Sequence, residues 1–295
     1  MRVFVTGATG FIGSAVVRDL IDAGHQVLGL TRSDAGAKSL AAAGAQAHRG
    51  DLEDLESLRG GAAASDAVIH TAFQHDWSRF AESCELDKRA IEAIGAVLQR
   101  SGRPFIVSSG VGVAQGRPAT EDDPPLSPSA SLPRVSETTA GALIESGVHV
   151  MVMRLPQVHD TVKQGLVTPL IAVARQKGVS AYVGDGQNRW PAAHVLDTAR
   201  LYRLALEKGT AGAKYHAVAE SGVRLKDIAE AISRGLKVPV ISISQDQAQD
   251  HFGFFGFFAG RDSQVSSART REQLGWNPTG PTLLTDLENM RFSQS

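Results

Sequence analysis

The sequence predicts an α/β protein with a doubly wound parallel sheet and a smaller substrate-binding cap at the carboxyl-terminal end. Three observations support this fold class. Short β-branched runs alternate with longer alanine-rich segments of helical period through the first half of the chain. Closely spaced glycines follow the first such run. After Pro156 the rhythm changes to amphipathic helices between short irregular segments, which predicts a separate cap.

The first half supplies the strands of the sheet in order. We predict strands at Val3 to Thr6, Gln26 to Leu30, Gln46 to His48, Ala67 to His70, Phe105 to Ser108 and His149 to Arg154. Long helices at Arg79 to Gln99 and Val135 to Ser146 would flank them. Residues 1–155 are therefore expected to form the nucleotide-binding domain, and residues 156–295 the cap, interleaved with the first domain.

Composition excludes several classes of partner. The net charge is -1, from 30 basic and 31 acidic residues, so nothing favours nucleic acid or an anionic membrane surface. Cys84 is the only cysteine, which fits a reducing, cytoplasmic location. No apolar run reaches the roughly 20 residues of a spanning helix. No metal-ligand spacing is present, so we expect no metal. We expect a small-molecule substrate as partner, and a homodimer or monomer.

The glycine motif carries the most specific signal. "GATGFIG" follows the first strand and opens an amphipathic helix, the context that makes this spacing informative. In this Rossmann arrangement the first glycine permits a tight turn, the second lets backbone approach a pyrophosphate, and the third lets helix and sheet pack closely. The predicted residues here are Gly7, Thr9, Gly10, Phe11, Ile12 and Gly13.

The end of the second strand predicts which cofactor is bound. It reads "TRS", where an NAD-preferring enzyme commonly has an acid for the ribose hydroxyls. Arg32 can pair with a phosphate and Ser33 can add a donor, so NADP(H) is favoured over NAD(H). The remaining predicted cofactor residues are Asp51 and Leu52 near the adenine, Ala72 and Phe73 beside the ribose, and Pro156 after the sixth strand.

These features together resemble the extended and atypical branches of the short-chain dehydrogenase/reductase family, which includes NAD(P)-dependent epimerases and dehydratases. The likeness rests on TGxxGxxG, "GDL", "VIHTA", "IVSSG", "RLP" and, beyond them, "GDGQNRWPAAHVLDTARLYRLALE". It implies a tyrosine that donates a proton to a carbonyl oxygen, a lysine four residues later, and a serine or threonine that holds that oxygen.

The sequence departs from this pattern at the catalytic residues. It contains no YxxxK, and its tyrosines all lie beyond the sixth strand. Depending on register, the tyrosine and lysine positions hold Ala130 with Arg134, or Pro133 with Glu137, and the serine position falls on Gly110 or Ser109. The family's own proton donor is therefore missing, and a reductase would need other residues.

Several side chains are candidates for that role. His75 could donate a proton, with Asp76 orienting it or raising its pKa. Arg134 could stabilise an oxyanion while Ser109 offers a hydroxyl hydrogen bond. A surface histidine and a solvated arginine are the alternatives. Predicted substrate residues are Gln74, Asp76, His159 and Trp190.

The residues therefore predict an NADP(H)-dependent oxidoreductase that acts on a small or medium apolar carbonyl compound with a donor other than tyrosine. Two alternatives remain: an NADP(H)-binding sensor or scaffold without catalysis, and a sugar-nucleotide epimerase or dehydratase. "HFGFFGFFAG", residues 251–260, would be either an aromatic lid over the substrate or plain core of the cap.

Overall fold

A parallel sheet of seven strands forms the centre of the protein. The computed structural model describes residues 1–129 and 132–292. The sheet consists of β1 (Arg2–Thr6), β2 (Gln26–Thr31), β3 (Gln46–Arg49), β4 (Ala67–His70), β5 (Phe105–Gly110), β6 (Val150–Leu155) and β10 (Lys214–His216). Their spatial order is β10-β6-β5-β4-β1-β2-β3, and every pair is parallel. The predicted α/β fold class and all six predicted strands are thereby confirmed.

Helices cover both faces of this sheet. One face carries α1 (Phe11–Asp22), α2 (Asp34–Ala42) and α7 (Val195–Lys208), and the other carries α3 (Leu55–Ala63), α4 (Phe80–Leu98) and α5 (Ser136–Glu145). The two long helices predicted in the first half correspond to α4 and α5. Their apolar residues and those of the strands form one core on each face, which is the reason for the continuous Val/Ile/Leu runs in the sequence.

The seventh strand comes from beyond the predicted boundary at residue 155. Residues 214–216 pair with residues 152–154 of β6, and α7 packs against α1 on the same face. The sheet is thus completed by a segment that lies after several cap elements in the chain. The polypeptide consequently passes from the sheet into the cap, returns to the sheet, and then enters the cap again.

The cap has its own core. It contains β7 (Gln157–His159), β9 (Arg189–His194) and β11 (Glu220–Arg224) in one small sheet, and β8 (Ser180–Val183) with β12 (Val240–Ile243) in another. Its helices are α6 (Val167–Lys177), α8 (Leu225–Leu236), α9 (Ala248–Phe252), α10 (Gly256–Ala259) and α12 (Leu283–Asn289), whereas α11 (Ala268–Leu274) packs against α7 and β10 beside the large sheet. Within the two described ranges, no helix is both long and apolar enough to cross a bilayer.

The phenylalanine-rich segment serves both as core and as wall. Phe252 and Phe255 are buried in the cap core, whereas Phe254 and Phe258 are only partly covered. Phe257 keeps 40% of its surface exposed. Because the chain passes through two short helices and a 3-10 turn here, its aromatic rings point in several directions. The segment is therefore neither a pure lid nor a pure core element.

Candidate functional site

A cleft of about 1030 Å³ lies between the sheet and the cap. The carboxyl ends of parallel strands meet at one edge of the sheet, which is where ligands bind in this class of fold. The loops that follow β1, β2, β4, β5 and β6 all contribute lining residues, and residues 258–263 add a wall from the cap. The cleft is large enough for a dinucleotide and a substrate together.

The glycine turn leaves no room for side chains. Gly7 has a φ of 67°, and a Cβ there would lie 2.7 Å from the backbone nitrogen of Ala72. A Cβ on Gly13 would lie 2.0 Å from the carbonyl oxygen of Gly7. These contacts bring α1 directly against the end of β1. The close approach of backbone that a pyrophosphate requires is therefore present.

The start of α1 offers free backbone donors. Ser14 is the first residue of the helix whose amide bonds back by one helical turn, to the carbonyl oxygen of Gly10 at 2.9 Å. No side chain caps the helix, and its first turn holds no acid. The amides of residues 11–13 and the positive end of the helix dipole are thus available to an anion. The residues present fit the pyrophosphate of a dinucleotide cofactor.

The adenosine end of the cleft carries Arg32. Its side chain is exposed and lines the cleft, and within residues 1–129 and 132–292 no carboxylate lies in ion-pair distance of it. Ser33 lies outside the cleft lining, and its hydroxyl oxygen caps α2 by accepting from the Gly36 amide at 3.1 Å. That bond leaves the hydroxyl hydrogen unused, so the donor expected from Ser33 stays a prediction. Asp51 lines the cleft and accepts from the amides of residues 53 and 54.

The other predicted cofactor residues also lie along the cleft. Thr9, Gly10, Phe11 and Ile12 line it beside the glycine turn, Leu52 next to Asp51, Ala72 and Phe73 after β4, and Pro156 after β6. Together they trace a continuous path from Arg32 to the ends of β5 and β6. A path from the end of β2 past the glycine turn to the ends of β5 and β6 is the course of a dinucleotide groove in this class of fold.

Ser109 and Arg134 both line the far end of this path. Ser109 lies near the end of β5, lines the cleft, and its hydroxyl has no hydrogen-bond partner in the described part of the chain. Arg134 also lines the cleft. Its guanidinium carbon lies 4.4 Å from the ring centroid of Phe73, and its Nη2 donates to the Ser108 carbonyl oxygen at 3.2 Å. The arginine is therefore held by the protein and is not simply solvated.

Glu137 occupies the first turn of α5 and lines the same end of the cleft. Both of its carboxylate oxygens accept hydrogen bonds from Arg154, whose side chain is fully buried. The Nζ of Lys214 lies 3.8 Å from the same carboxylate. A negative charge compensated by two cations thus takes the position where the second register places the family's lysine. Ala130, which belongs to the first register, lies outside the described residues.

His75 lies at the mouth of the cleft, with its ring 5.1 Å from that of Phe73 and 5.6 Å from that of Trp77. Burial, and after it the positive charge of Arg134, lowers the pKa of His75. A hydrogen bond to the Phe73 backbone raises this pKa by a smaller amount. Asp76 was predicted to orient His75 or raise its pKa, and this is wrong. Its carboxylate instead caps the 3-10 turn at residues 77–79 by accepting from Ser78.

Aromatic rings form the substrate side of the cleft. Trp77 stacks at 5.4 Å from Phe80 and at 5.1 Å from Phe254, which joins the loop after β4 to the phenylalanine-rich segment of the cap. Trp190 also lines the cleft, and its indole nitrogen donates to the Phe258 carbonyl oxygen at 3.1 Å. Gln74 lines the cleft as predicted for the substrate region, whereas Asp76 does not. This wall suits an apolar ligand.

His159 was predicted to contact substrate, and this is wrong. Its side chain is 0% exposed and lies outside the cleft lining, because β7 turns it toward the interior of the cap. Its Nδ1 is 2.7 Å from a carboxylate oxygen of Asp286 on α12. The histidine therefore joins two cap elements.

No tyrosine of the described chain lines the cleft. The hydroxyl of Tyr202 lies behind β5, 2.6 Å from the Ser108 hydroxyl. Its ring is fully buried, and burial raises the pKa of Tyr202. It cannot exchange a proton with a ligand from there. Residues 1–129 and 132–292 thus contain no replacement tyrosine. Two buried residues lie behind Arg134, namely Asp87 and Ser136, and sequence reasoning missed both of them. Polar residues inside the long helices were the only available sign of them.

Comparisons with known proteins agree with this geometry. The sequence profile described as the NAD dependent epimerase/dehydratase family matches residues 3–219. An uncharacterized protein of Schizosaccharomyces pombe is 50% identical over 292 residues, covering 97% of this chain and 98% of that protein. A 4-hydroxy-2-methyl-3-oxo-4-farnesyl-3,4-dihydroquinoline-1-oxide ketoreductase of Stigmatella aurantiaca is 27% identical over 269 residues, covering 86% and 80%.

A solved structure shows the same fold. The UDP-glucose 4-epimerase of Thermus thermophilus, in complex with NAD, aligns with a TM-score of 0.75 and 19% identity over 100% of both chains. The family profile spans most of the sheet and its cofactor turn. The chain belongs to the NAD dependent epimerase/dehydratase family of enzymes.

Proposed function

We propose that this protein is an NADP(H)-dependent oxidoreductase that reduces a small or medium apolar carbonyl compound. The observation that carries the proposal is that the free Ser109 hydroxyl and the fixed Arg134 guanidinium both line a cleft with aromatic walls. The ketoreductase relative supports the same reaction class.

The chemistry divides between cofactor and protein. A bound nicotinamide cofactor would supply the hydride that reduces the carbonyl carbon. The guanidinium of Arg134 stabilises the negative charge that develops on the carbonyl oxygen, and Ser109 donates a hydrogen bond to it. His75 in its protonated form gives that oxygen its proton. Because the pKa of His75 is lowered, little of it is protonated at neutral pH, so reduction is expected to accelerate as pH falls.

The preference for NADP(H) rests on Arg32. A 2′-phosphate needs a cation at the end of β2, and Arg32 lies there with no competing carboxylate among the described residues. The acid nearest to it in the chain, Asp34, already pairs with Arg49 at 3.1 Å. The NAD-bound epimerase points the other way, so the preference is a property we propose for this chain's own residues.

The test combines binding with turnover. Purified protein is titrated with NADPH and with NADH by calorimetry, then assayed with NADPH and 4-nitrobenzaldehyde, acetophenone or ethyl acetoacetate at pH 6 and pH 8. We expect tighter binding of NADPH, and turnover of at least one carbonyl compound that is faster at pH 6. Ser109→Ala and Arg134→Ala should each lower kcat by about 100-fold. NADPH binding without any turnover would instead support a sensor or scaffold.

A sugar-nucleotide epimerase is the second candidate, because the full-length structural likeness includes an NAD-bound UDP-glucose 4-epimerase. Such an enzyme would convert UDP-glucose without net consumption of cofactor. Incubation with UDP-glucose and analysis of the sugar after hydrolysis separates the two candidates. We expect no galactose, since the aromatic wall of Trp77, Phe80 and Phe254 offers few polar groups to a sugar.

A further inference from the structure

A chain of buried polar side chains runs beneath the cleft and ends on Arg134. Its central residue is Asp87 of α4, whose side chain is 1% exposed. One carboxylate oxygen is 2.5 Å from the Ser136 hydroxyl and the other is 3.1 Å from Nε2 of His70. The Ser136 oxygen in turn accepts from Nε of Arg134 at 2.8 Å. A buried carboxylate is thus linked to the cleft by one intervening hydroxyl.

The hydrogen bonds of this buried series run toward Asp87 from both sides. The amide of Ala72 donates to Thr6 Oγ1, and the Thr6 hydroxyl donates to Nδ1 of His70. With its hydrogen on Nε2, His70 donates to Asp87. From the other side, Arg134 donates to Ser136, and Ser136 donates to Asp87. Asp87 is therefore the common acceptor of two hydrogen-bonded arms.

The carboxylate is charged where it lies. Burial acts to raise the pKa of Asp87, but the hydrogen bond from His70, the charge of Arg134 and the Ser136 hydroxyl outweigh it and hold the pKa below its usual range. No carboxylate of the described chain lies in direct ion-pair contact with Arg134. Asp87 is consequently the counter-ion that compensates this guanidinium, through Ser136, on the side away from the cleft.

We propose that Asp87 and Ser136 are positioning residues that hold the Arg134 guanidinium as a fixed positive charge at the substrate end of the cleft. The bond to Ser136 Oγ uses Nε, and the Ser108 carbonyl uses one hydrogen of Nη2. The remaining guanidinium hydrogens stay available to an oxyanion in the cleft. Because such a charge helps only when it is preorganised, the buried pair replaces part of what tyrosine and lysine supply elsewhere in the family. Only the catalytic use of this charge rests on the proposed function; the placement of Arg134 does not.

The first experiment needs no substrate. In 1H–15N spectra of the full chain, the Arg134 Nε–H signal is identified by its loss in Arg134→Lys, and its hydrogen exchange is compared with that of Arg18, an exposed arginine on α1. We expect Arg134 to exchange at least about tenfold more slowly, and Ser136→Ala to remove most of that protection while Ser136→Thr keeps it. Exchange as fast as that of Arg18, or protection unchanged in Ser136→Ala, would overturn the proposal.

The second experiment uses the carbonyl compound that NADPH reduces fastest. Ser136→Ala and Asp87→Asn are each expected to lower kcat about tenfold with KM changed less than about threefold, because they misplace a charge that acts in the transition state. In an Arg134→Ala background, Ser136→Ala should have less than about a twofold further effect. An equal loss in both backgrounds would indicate a merely structural role and contradict the proposal.

A matched control lies one turn away on α4. Ser83 is also buried, and its hydroxyl donates only to the Arg79 carbonyl oxygen at 3.2 Å. Ser83→Ala should leave both the Arg134 exchange rate and kcat unchanged. If no carbonyl compound is reduced at all, the proposed function fails, while the exchange measurement still decides the positioning of Arg134.

Discussion

The buried guanidinium of Arg154 donates two hydrogen bonds to the carboxylate of Glu137, from Nε to Oε2 at 2.9 Å and from Nη2 to Oε1 at 2.6 Å. This ion pair stands beside the cleft where the second register places a lysine in related enzymes. Arg154 also donates to the carbonyl oxygen of Asp123 at 2.8 Å and contacts Nε2 of His216 at 3.1 Å. The carboxylate is therefore required by the local fold.

A lysine in place of Glu137, as the second register would have it, should harm the protein. Glu137→Lys would place a third cation beside Arg154 and Lys214 with no anion between them. We expect a loss of about 3–5 kcal/mol in the free energy of unfolding. Urea denaturation measures it, with Glu145→Lys, an exposed change on the same helix, as control. Stability equal to that of the control would contradict this account of Glu137.

Arg32 should control the choice of cofactor. Arg32→Ala removes the cation proposed to bind the 2′-phosphate, and a charge-assisted hydrogen bond is worth about 1.5–3 kcal/mol. We therefore expect the Kd of NADPH to rise by about 10- to 100-fold while that of NADH changes little. Calorimetry on both cofactors is the measurement. Arg18→Ala, on the outer face of α1, serves as the control, and an equal weakening of NADPH and NADH would count against the assignment.

The glycine turn should tolerate no side chain at Gly13. In Gly13→Ala the new methyl group meets the Gly7 carbonyl oxygen, which must move away and open the turn that would hold the pyrophosphate. We expect binding of NADPH to fall by more than about 100-fold. Gly141→Ala on α5 has nothing within 4 Å of the added carbon and should bind normally. Near-normal binding by Gly13→Ala would show that the cofactor does not lie against this turn.

Stability should fall on mild acidification because of His216. Its Nδ1 donates to the Ser266 carbonyl oxygen, and its Nε2 accepts from Arg154, so only the neutral ring fits. Burial lowers the pKa of His216 below the ordinary value of 6.5, although the hydrogen bond to the Ser266 carbonyl opposes part of this effect. The unfolded chain then binds a proton that the folded chain refuses, and the stabilisation is lost as pH falls below about 6.5.

Urea midpoints at pH 7.5, 6.5 and 5.5 measure this effect. We expect a steady decrease toward pH 5.5 and a shallower decrease in His216→Gln, whatever the absolute stability of that variant. His159 is shifted in the same direction, so part of the slope should persist in the variant. A midpoint independent of pH across this range would contradict the buried neutral state of His216.

Local sequence was enough to predict six of the seven strands of the sheet and its cofactor turn. Strand periodicity, helix periodicity and the glycine spacing each depend on residues a few positions apart, and the structure reproduces all six predicted strands and places all six predicted residues of the glycine motif along the cleft. The same local reasoning failed at Asp76, because its side chain caps the 3-10 turn that immediately follows it.

The electrostatics of the site, in contrast, was decided only by tertiary structure. Ser136 meets Asp87 across 49 residues of chain, and His159 meets Asp286 across 127. Whether a polar side chain faces a cleft, a counter-ion or the core depends on which elements pack together, and no spacing along the chain records it. The sequence by itself therefore determined the fold and the groove for a dinucleotide. Folding determined which charges are free to act in it, because a charge is chemically useful only where its neighbours leave it uncompensated toward the ligand.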